Sequence, residues 1–159
     1  KKYFDNRRQK TLNKRARYNI VFGEKDIQPS NDYKVFSVKS FKSLKYLNKL
    51  RNKLSSVLGN KATNLNAEGN FYFEENSGIG FHGDAERKIV ICLSLGDSSI
   101  LRYCWRMPGT SDHYGESIDV KVNNGDIYIM SEKATGFDWK KRSKVRIVHA
   151  AGSNKYILK

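Results

Sequence analysis

Apolar residues recur at spacings of three and four between Ser40 and Gly59, at Phe41, Leu44, Leu47, Leu50, Leu54, Val57 and Leu58. That spacing draws one face of an amphipathic helix over 40–59. Ser40 or Ser43 can cap its start and Gly59 can end it. The other face carries Lys42, Lys45, Lys49 and Arg51 or Lys53. The helix is therefore expected to lay its leucines on a sheet and show its cations outside.

From residue 69 the pattern changes to short β-rich runs separated by Gly, Asn, Asp and Ser. They are F-Y-F near 72, I-G-F near 80, I-V-I-C-L-S-L at 89–95, I-L-R-Y-C-W at 100–105, S-I-D-V-K-V at 117–122, D-I-Y-I-M at 126–130, V-R-I-V-H at 145–149 and K-Y-I-L-K at 155–159. Eight short strands after a helix predict a mainly β fold, a jelly roll or double-stranded β-helix over 69–159 with a packed N-terminal helix. In V-R-I-V-H the period of two puts His149 on the side of Val145 and Ile147, toward the interior. The opening stretch, residues 1–39, starts K-K-Y-F-D-N-R-R-Q-K-T-L-N-K-R-A-R-Y-N without a clean period and reads as a basic arm or lid.

Length allows one domain over 1–159 and one active site. With 38% hydrophobic and 12% aromatic residues the composition is globular rather than disordered. No run reaches the length of a membrane span and the charged start lacks a signal-peptide core, so a soluble, monomeric protein of the cytoplasm or nucleus is expected. Cys92 and Cys104 lie in apolar runs without metal or redox spacing and read as core thiols.

Charge changes the picture. The net is +14, and residues 1–60 hold 16 Lys/Arg against 4 Asp/Glu, leaving the remainder nearly balanced. A positive region of this kind fits a polyanion, because each neutralised phosphate releases counterions. Arg7, Arg8, Lys14, Arg15 and Arg17 are the expected nucleic-acid contacts, although a basic solvated face has the same composition.

Candidate chemistry concentrates in G-I-G-F-H-G-D-A-E-R-K-I-V-I-C-L-S-L-G, residues 78–96. Two imidazoles and one carboxylate on one face of an iron leave the opposite face open for substrate and oxygen. His82 and Asp84, two apart, point to one side of an extended segment, and His149 arrives from a distant inward face. Alone, H-x-D is a weak signal, but with a late inward His and a β-rich frame it marks His82, Asp84 and His149 as metal ligands and the catalytic centre.

These residues resemble the AlkB-like iron(II)- and 2-oxoglutarate-dependent dioxygenases over roughly 68–159, from E-G-N-F-Y through H-G-D-A-E-R and R-Y-C-W-R to G-D-I-Y-I-M and R-I-V-H-A-A-G. The resemblance implies Fe(II), O2 and 2-oxoglutarate, with Asn70 and Tyr72 touching the co-substrate at the place of the family's Asn-x-Tyr. It also places Glu86 where an acidic residue reads the substrate base; a solvent-exposed pair with Arg87 or Lys88 is the alternative. The family's two late arginines have no counterpart. Lys159, with Lys155 second, is expected to hold the distal carboxylate as a point charge, both on the inward parity of Ile157.

The insert S-E-K-A-T-G-F-D-W-K-K-R-S-K at 131–144 is longer than such enzymes usually carry. Phe137 and Trp139 beside Lys140, Lys141 and Arg142 suit stacking on a base next to phosphates, or else anchor the loop to the core. Arg102 is grouped with them as a substrate contact, and His113 reads as a loop residue. The function expected is hydroxylation or oxidative demethylation of a nucleic-acid base. A protein or small-molecule hydroxylase on the same fold, or a nucleic-acid-binding jelly roll without metal chemistry, are the alternatives.

Overall fold

A computed structural model describes residues 2–158, so Lys159 lies outside the described residues. The protein is mainly β, in several sheets, and divides into two compact units, residues 1–73 and 74–159.

In the first unit the basic opening is not an irregular arm. It forms a hairpin of β1 (Lys2–Asp5) and β2 (Lys10–Asn13). The Asp5 carboxylate closes the turn by accepting the backbone N–H groups of Arg7 and Arg8. Such local side-chain bonds are what Asp offers a turn, and no hydrophobic period announces them. Strand β3 (Tyr18–Gly23) then runs parallel to β4 (Val38–Ser40) and antiparallel to β5 (Ala67–Phe71).

Helix α1 (Lys45–Leu58) starts five residues later than the apolar pattern suggests, because Ser40 instead caps a short 3-10 turn, Phe41–Ser43, by accepting the Lys42 N–H. Gly59 ends it at a positive φ of 77°. Arg51 does not join the outer cationic face. Its side chain bonds the Leu65 carbonyl at 2.6 Å and Glu24 at 2.7 Å and lies over the ring of buried Phe41. Arginine can do this because its stem is apolar and its planar head still reaches acceptors.

The second unit holds β6 (Gly78–His82), β7 (Val90–Leu93), β8 (Ser99–Arg106), β9 (His113–Val122), β10 (Ile127–Met130) and β11 (Arg146–Gly152). One sheet has the order β6-β11-β8-β9 and the other pairs β10 with β7, all antiparallel. The ladders are nested: β8 with β9, β7 with β10, β6 with β11. Leu101, Val122 and Met130 form the buried core, with Val90, Tyr103, Tyr128, Ala134 and Ala151 against it, so both sheets contribute to one apolar centre.

Three strand-level expectations change. His113 opens β9 and sets its ring edge-on to Phe81 rather than lying in a loop. Val145 precedes β11 and is exposed, while Arg146, Val148, His149 and Ala150 are all buried. β11 is covered on both faces, so alternation alone cannot tell which face is inside. Finally, 155–159 is no strand: α2 (Asn154–Ile157) occupies it, with Ile157 buried. A five-residue apolar run has no period long enough to separate strand from helix. The free thiols behave as expected in part, Cys104 buried and Cys92 half-buried. No helix among the described residues is long and apolar enough to cross a membrane.

Candidate metal centre

His149 and His82 are direct partners across the β11–β6 ladder. Residues directly opposite on antiparallel strands project to the same face, and the two rings stand 4.6 Å apart between centroids. Asp84 lies two residues beyond His82, past the end of β6, where a turn begins with the Arg87 N–H donating to the Asp84 carbonyl. Its Oδ1 is 3.7 Å from His82 Nε2 and its Oδ2 3.9 Å from His149 Nε2. The ligand atoms of all three residues lie within 4.8 Å of one another.

The donor set suits a divalent metal of intermediate softness. Donors on one ion stand about 3 Å apart when each bond is about 2.1 Å, so the three groups are a small torsional adjustment from sharing one. His82 is already set for it: its Nδ1 donates to the Gly80 carbonyl at 2.8 Å, which leaves Nε2 with the lone pair facing Asp84. His149 is only 5% exposed. Burial, then the charges of His82 and Arg87, push its pKa from 6.5 down to about 4, and the neighbouring Ala134 backbone opposes this. It is therefore a neutral imidazole near pH 7, the form a metal needs.

That shift has a measurable consequence. Between pH 6.5 and about 4 the unfolded imidazole takes up a proton that the folded one does not. Metal-free protein is expected to lose stability as pH falls through this window, by about 3 kcal/mol in all. Denaturant midpoints followed across that range should fall for the wild type and much less for His149→Gln. Equal acid sensitivity in the two would show that His149 is charged in the fold.

Asp84 is held by residues that sequence patterning did not single out. Its N–H donates to the Thr135 carbonyl at 2.7 Å. The fully buried Thr135 hydroxyl in turn bonds the carbonyls of Arg87 and Glu132. The 131–144 insert is thus packed directly on the turn that carries the carboxylate. Gly83, buried between His82 and Asp84, makes the approach possible: a Cβ there would stand 2.3 Å from the Gly136 carbonyl oxygen and 2.8 Å from Trp139 Cβ. Tyr103 is the other addition. It pairs with His149 across β8 and β11, its ring centroid 5.8 Å away. Burial, and after it the charge of Asp84, push its hydroxyl up to about 12, so it stays a phenol able to donate a hydrogen bond. Alternation in R-Y-C-W-R was legible, but only the register against β11 shows which aromatic meets His149.

Glu86, Arg102 and Lys155 do not gather here. Glu86 is exposed and sits 3.6 Å from Arg87, because the turn after Asp84 breaks the two-residue parity that would have aligned them. Arg102 precedes Tyr103 and projects from the other face of β8, where Asp119 holds it through two 2.6 Å bonds. Lys155 is exposed on α2, its ammonium 5.7 Å from the Tyr156 ring, and not on an inward strand face. Phe137 and Trp139 are half-buried in the insert. Asn70 and Tyr72 belong to the first unit; Asn70 accepts a 2.7 Å bond from Arg17, and Tyr72 is 38% exposed. Among the cationic residues of the opening, Lys14 bonds Asn19, while Arg7, Arg8 and Arg15 are exposed.

No known protein-family profile matches the chain. It is similar to an uncharacterized protein of Acanthamoeba polyphaga mimivirus, 42% identical over 149 residues, which is 93% of this chain and 57% of that protein's length.

Proposed function

We propose that this protein is an iron(II)- and 2-oxoglutarate-dependent dioxygenase of AlkB-like type that hydroxylates or oxidatively demethylates a nucleic-acid base. The observation that carries the reading is the His82–His149 cross-strand pair with Asp84 beside it, two imidazoles and one carboxylate on one face. The nested ladders support a jelly-roll frame, since an antiparallel ribbon rolled about the β8–β9 hairpin gives pairs of this kind. Bound iron, with 2-oxoglutarate and O2, supplies the oxidation of a substrate C–H bond, leaving a stable alcohol on a base carbon or releasing formaldehyde from an N-methyl group.

The chain's own contribution is to fix the donors and control water. β6 and β11 hold the imidazoles in register, and the Gly80 carbonyl sets the His82 tautomer. The Thr135 carbonyl orients the Asp84 backbone. Tyr103 offers a neutral hydroxyl next to His149. The co-substrate assignment rests on the H-x-D resemblance, with Lys159 as the proposed holder of its distal carboxylate. Incubation with iron, ascorbate, 2-oxoglutarate and a panel of methylated oligonucleotides, read by mass spectrometry, is expected to give succinate and a lighter or hydroxylated base. Iron-dependent succinate without any change in the oligonucleotides would leave the oxygenase and remove the nucleic-acid substrate.

Charge in the first unit is the proposed source of substrate affinity. Phosphate contacts position a nucleic acid without selecting its bases. Neutralising Arg7, Arg8, Lys14, Arg15 and Arg17 together is expected to weaken binding alike across sequences. It should also flatten the salt dependence, by about 0.9 in log slope per lost duplex contact or about 0.7 on a single strand. An unchanged slope would assign the affinity elsewhere.

A further inference from the structure

A cleft of about 270 Å³ in the second unit is lined by Arg106, Ser111, Trp139, Lys140, Arg142 and Arg146. It is separate from the metal cluster. Arg146 lies three residues before His149 on a regularly paired stretch of β11, so alternation turns the two to opposite faces of the strand. Arg106 is the direct cross-strand partner of Arg146, which sets the two arginine side chains on one face of the sheet.

Like charges so placed repel unless something negative pairs with them. Among the described residues, none of Arg106, Lys140, Arg142 and Arg146 forms an ion pair with a carboxylate. Arg146 is only 4% exposed. One of its nitrogens donates to the carbonyls of Met107 and Thr110 and another to the Trp139 carbonyl at 3.5 Å, and Arg142 reaches the Gly109 carbonyl. Those bonds hold the 107–110 loop but neutralise no charge. Three buried N–H groups of the lining residues, Arg106 Nε, Arg146 Nε and Trp139 Nε1, have no hydrogen-bond partner among the described residues. Leaving a buried donor unpaired costs about 1–3 kcal/mol, and all three belong to residues that line this one cavity.

We propose that this cleft binds a phosphate group. Three guanidinium groups, the Ser111 hydroxyl and the Lys140 ammonium together suit several acceptor oxygens on one small centre. Four uncompensated cations ask for more negative charge than a single carboxylate carries, and arginine forks match phosphate oxygens. The volume admits a phosphate with only a small part of what it is attached to. The group comes either from a free phosphate ester or from a nucleic-acid backbone. The site stands on its own residues and does not depend on the metal reading.

The test titrates the full chain with inorganic phosphate, with a nucleoside monophosphate and with a short single-stranded oligonucleotide, by calorimetry at low salt. The variants are Arg106→Gln with Arg142→Gln, and separately Lys140→Ala, which is exposed and spares the fold; circular dichroism verifies folding. Wild type is expected to bind phosphate, and the folded variants to bind it at least tenfold more weakly. Tighter oligonucleotide binding that falls with the same variants identifies a backbone phosphate, with the log salt slope reduced by about 0.7. Binding of the monophosphate at least as tight as that of the oligonucleotide identifies a free ester. No phosphate binding by the wild type, or equal binding by Lys140→Ala and the folded double variant, overturns the proposal.

Discussion

Iron(II), or manganese, cobalt or nickel as an inert substitute, is expected to raise the melting temperature of the wild-type protein and to do nothing for His149→Ala. A ligand that binds only the folded state stabilises it by about 4 kcal/mol when present at a thousandfold excess over its dissociation constant, so the contrast should be large. The loss follows from geometry: His149 Nε2 and His82 Nε2 flank the two oxygens of one carboxylate, and removing either imidazole leaves a pair too weak to exclude water. His82→Ala and Asp84→Ala should behave alike, each also abolishing 2-oxoglutarate decarboxylation. His149→Ala with full decarboxylation would sink the metal assignment. Because truncating a buried ring has a cost of its own, the decisive quantity is the shift that metal adds within each variant, not the melting temperature of the variant itself.

Gly83→Ala should be the most damaging single methyl group at the site. The added Cβ would stand 2.3 Å from the Gly136 carbonyl oxygen and 2.8 Å from Trp139 Cβ. The first obstacle is backbone and cannot swing aside, so either the insert lifts or the H-G-D turn moves. Overpacking of this kind costs about 3 kcal/mol. The turn also carries Asp84, tied to the insert through the Thr135 carbonyl, so metal affinity is expected to fall along with stability. Gly96→Ala makes the comparison: its Cβ meets nothing within 4 Å, although its φ of 92° also disfavours a side chain. If Gly83→Ala matched Gly96→Ala in stability and kept its metal affinity, the insert would not be packed on the ligand turn as described.

The apolar periods and turn residues were enough to place most elements of the second unit. β6 through β11 each fall on a run legible as a strand, because alternation and Gly, Asn and Asp punctuation are local properties. The clustering of His82, Asp84 and His149 was legible too, since H-x-D is a two-residue spacing and His149 sits in a strand. The terminal run 155–159 and the opening 1–39 were not, one too short for a period and the other organised by an Asp5 turn and by pairing between β3 and distant β5.

Only the tertiary structure decided which residues join the site. His82 and His149 meet because β11 lies between β6 and β8, and that order is set by long-range pairing invisible to any local window. The same register brings Tyr103 to His149 and sends Arg102 to Asp119 on the other face. Parity failed for Glu86 because a turn follows Asp84, and for Lys155 because a helix replaces the expected strand. Residue types and spacing determined what chemistry the chain could carry; strand register, which couples residues far apart in sequence, decided where that chemistry is assembled.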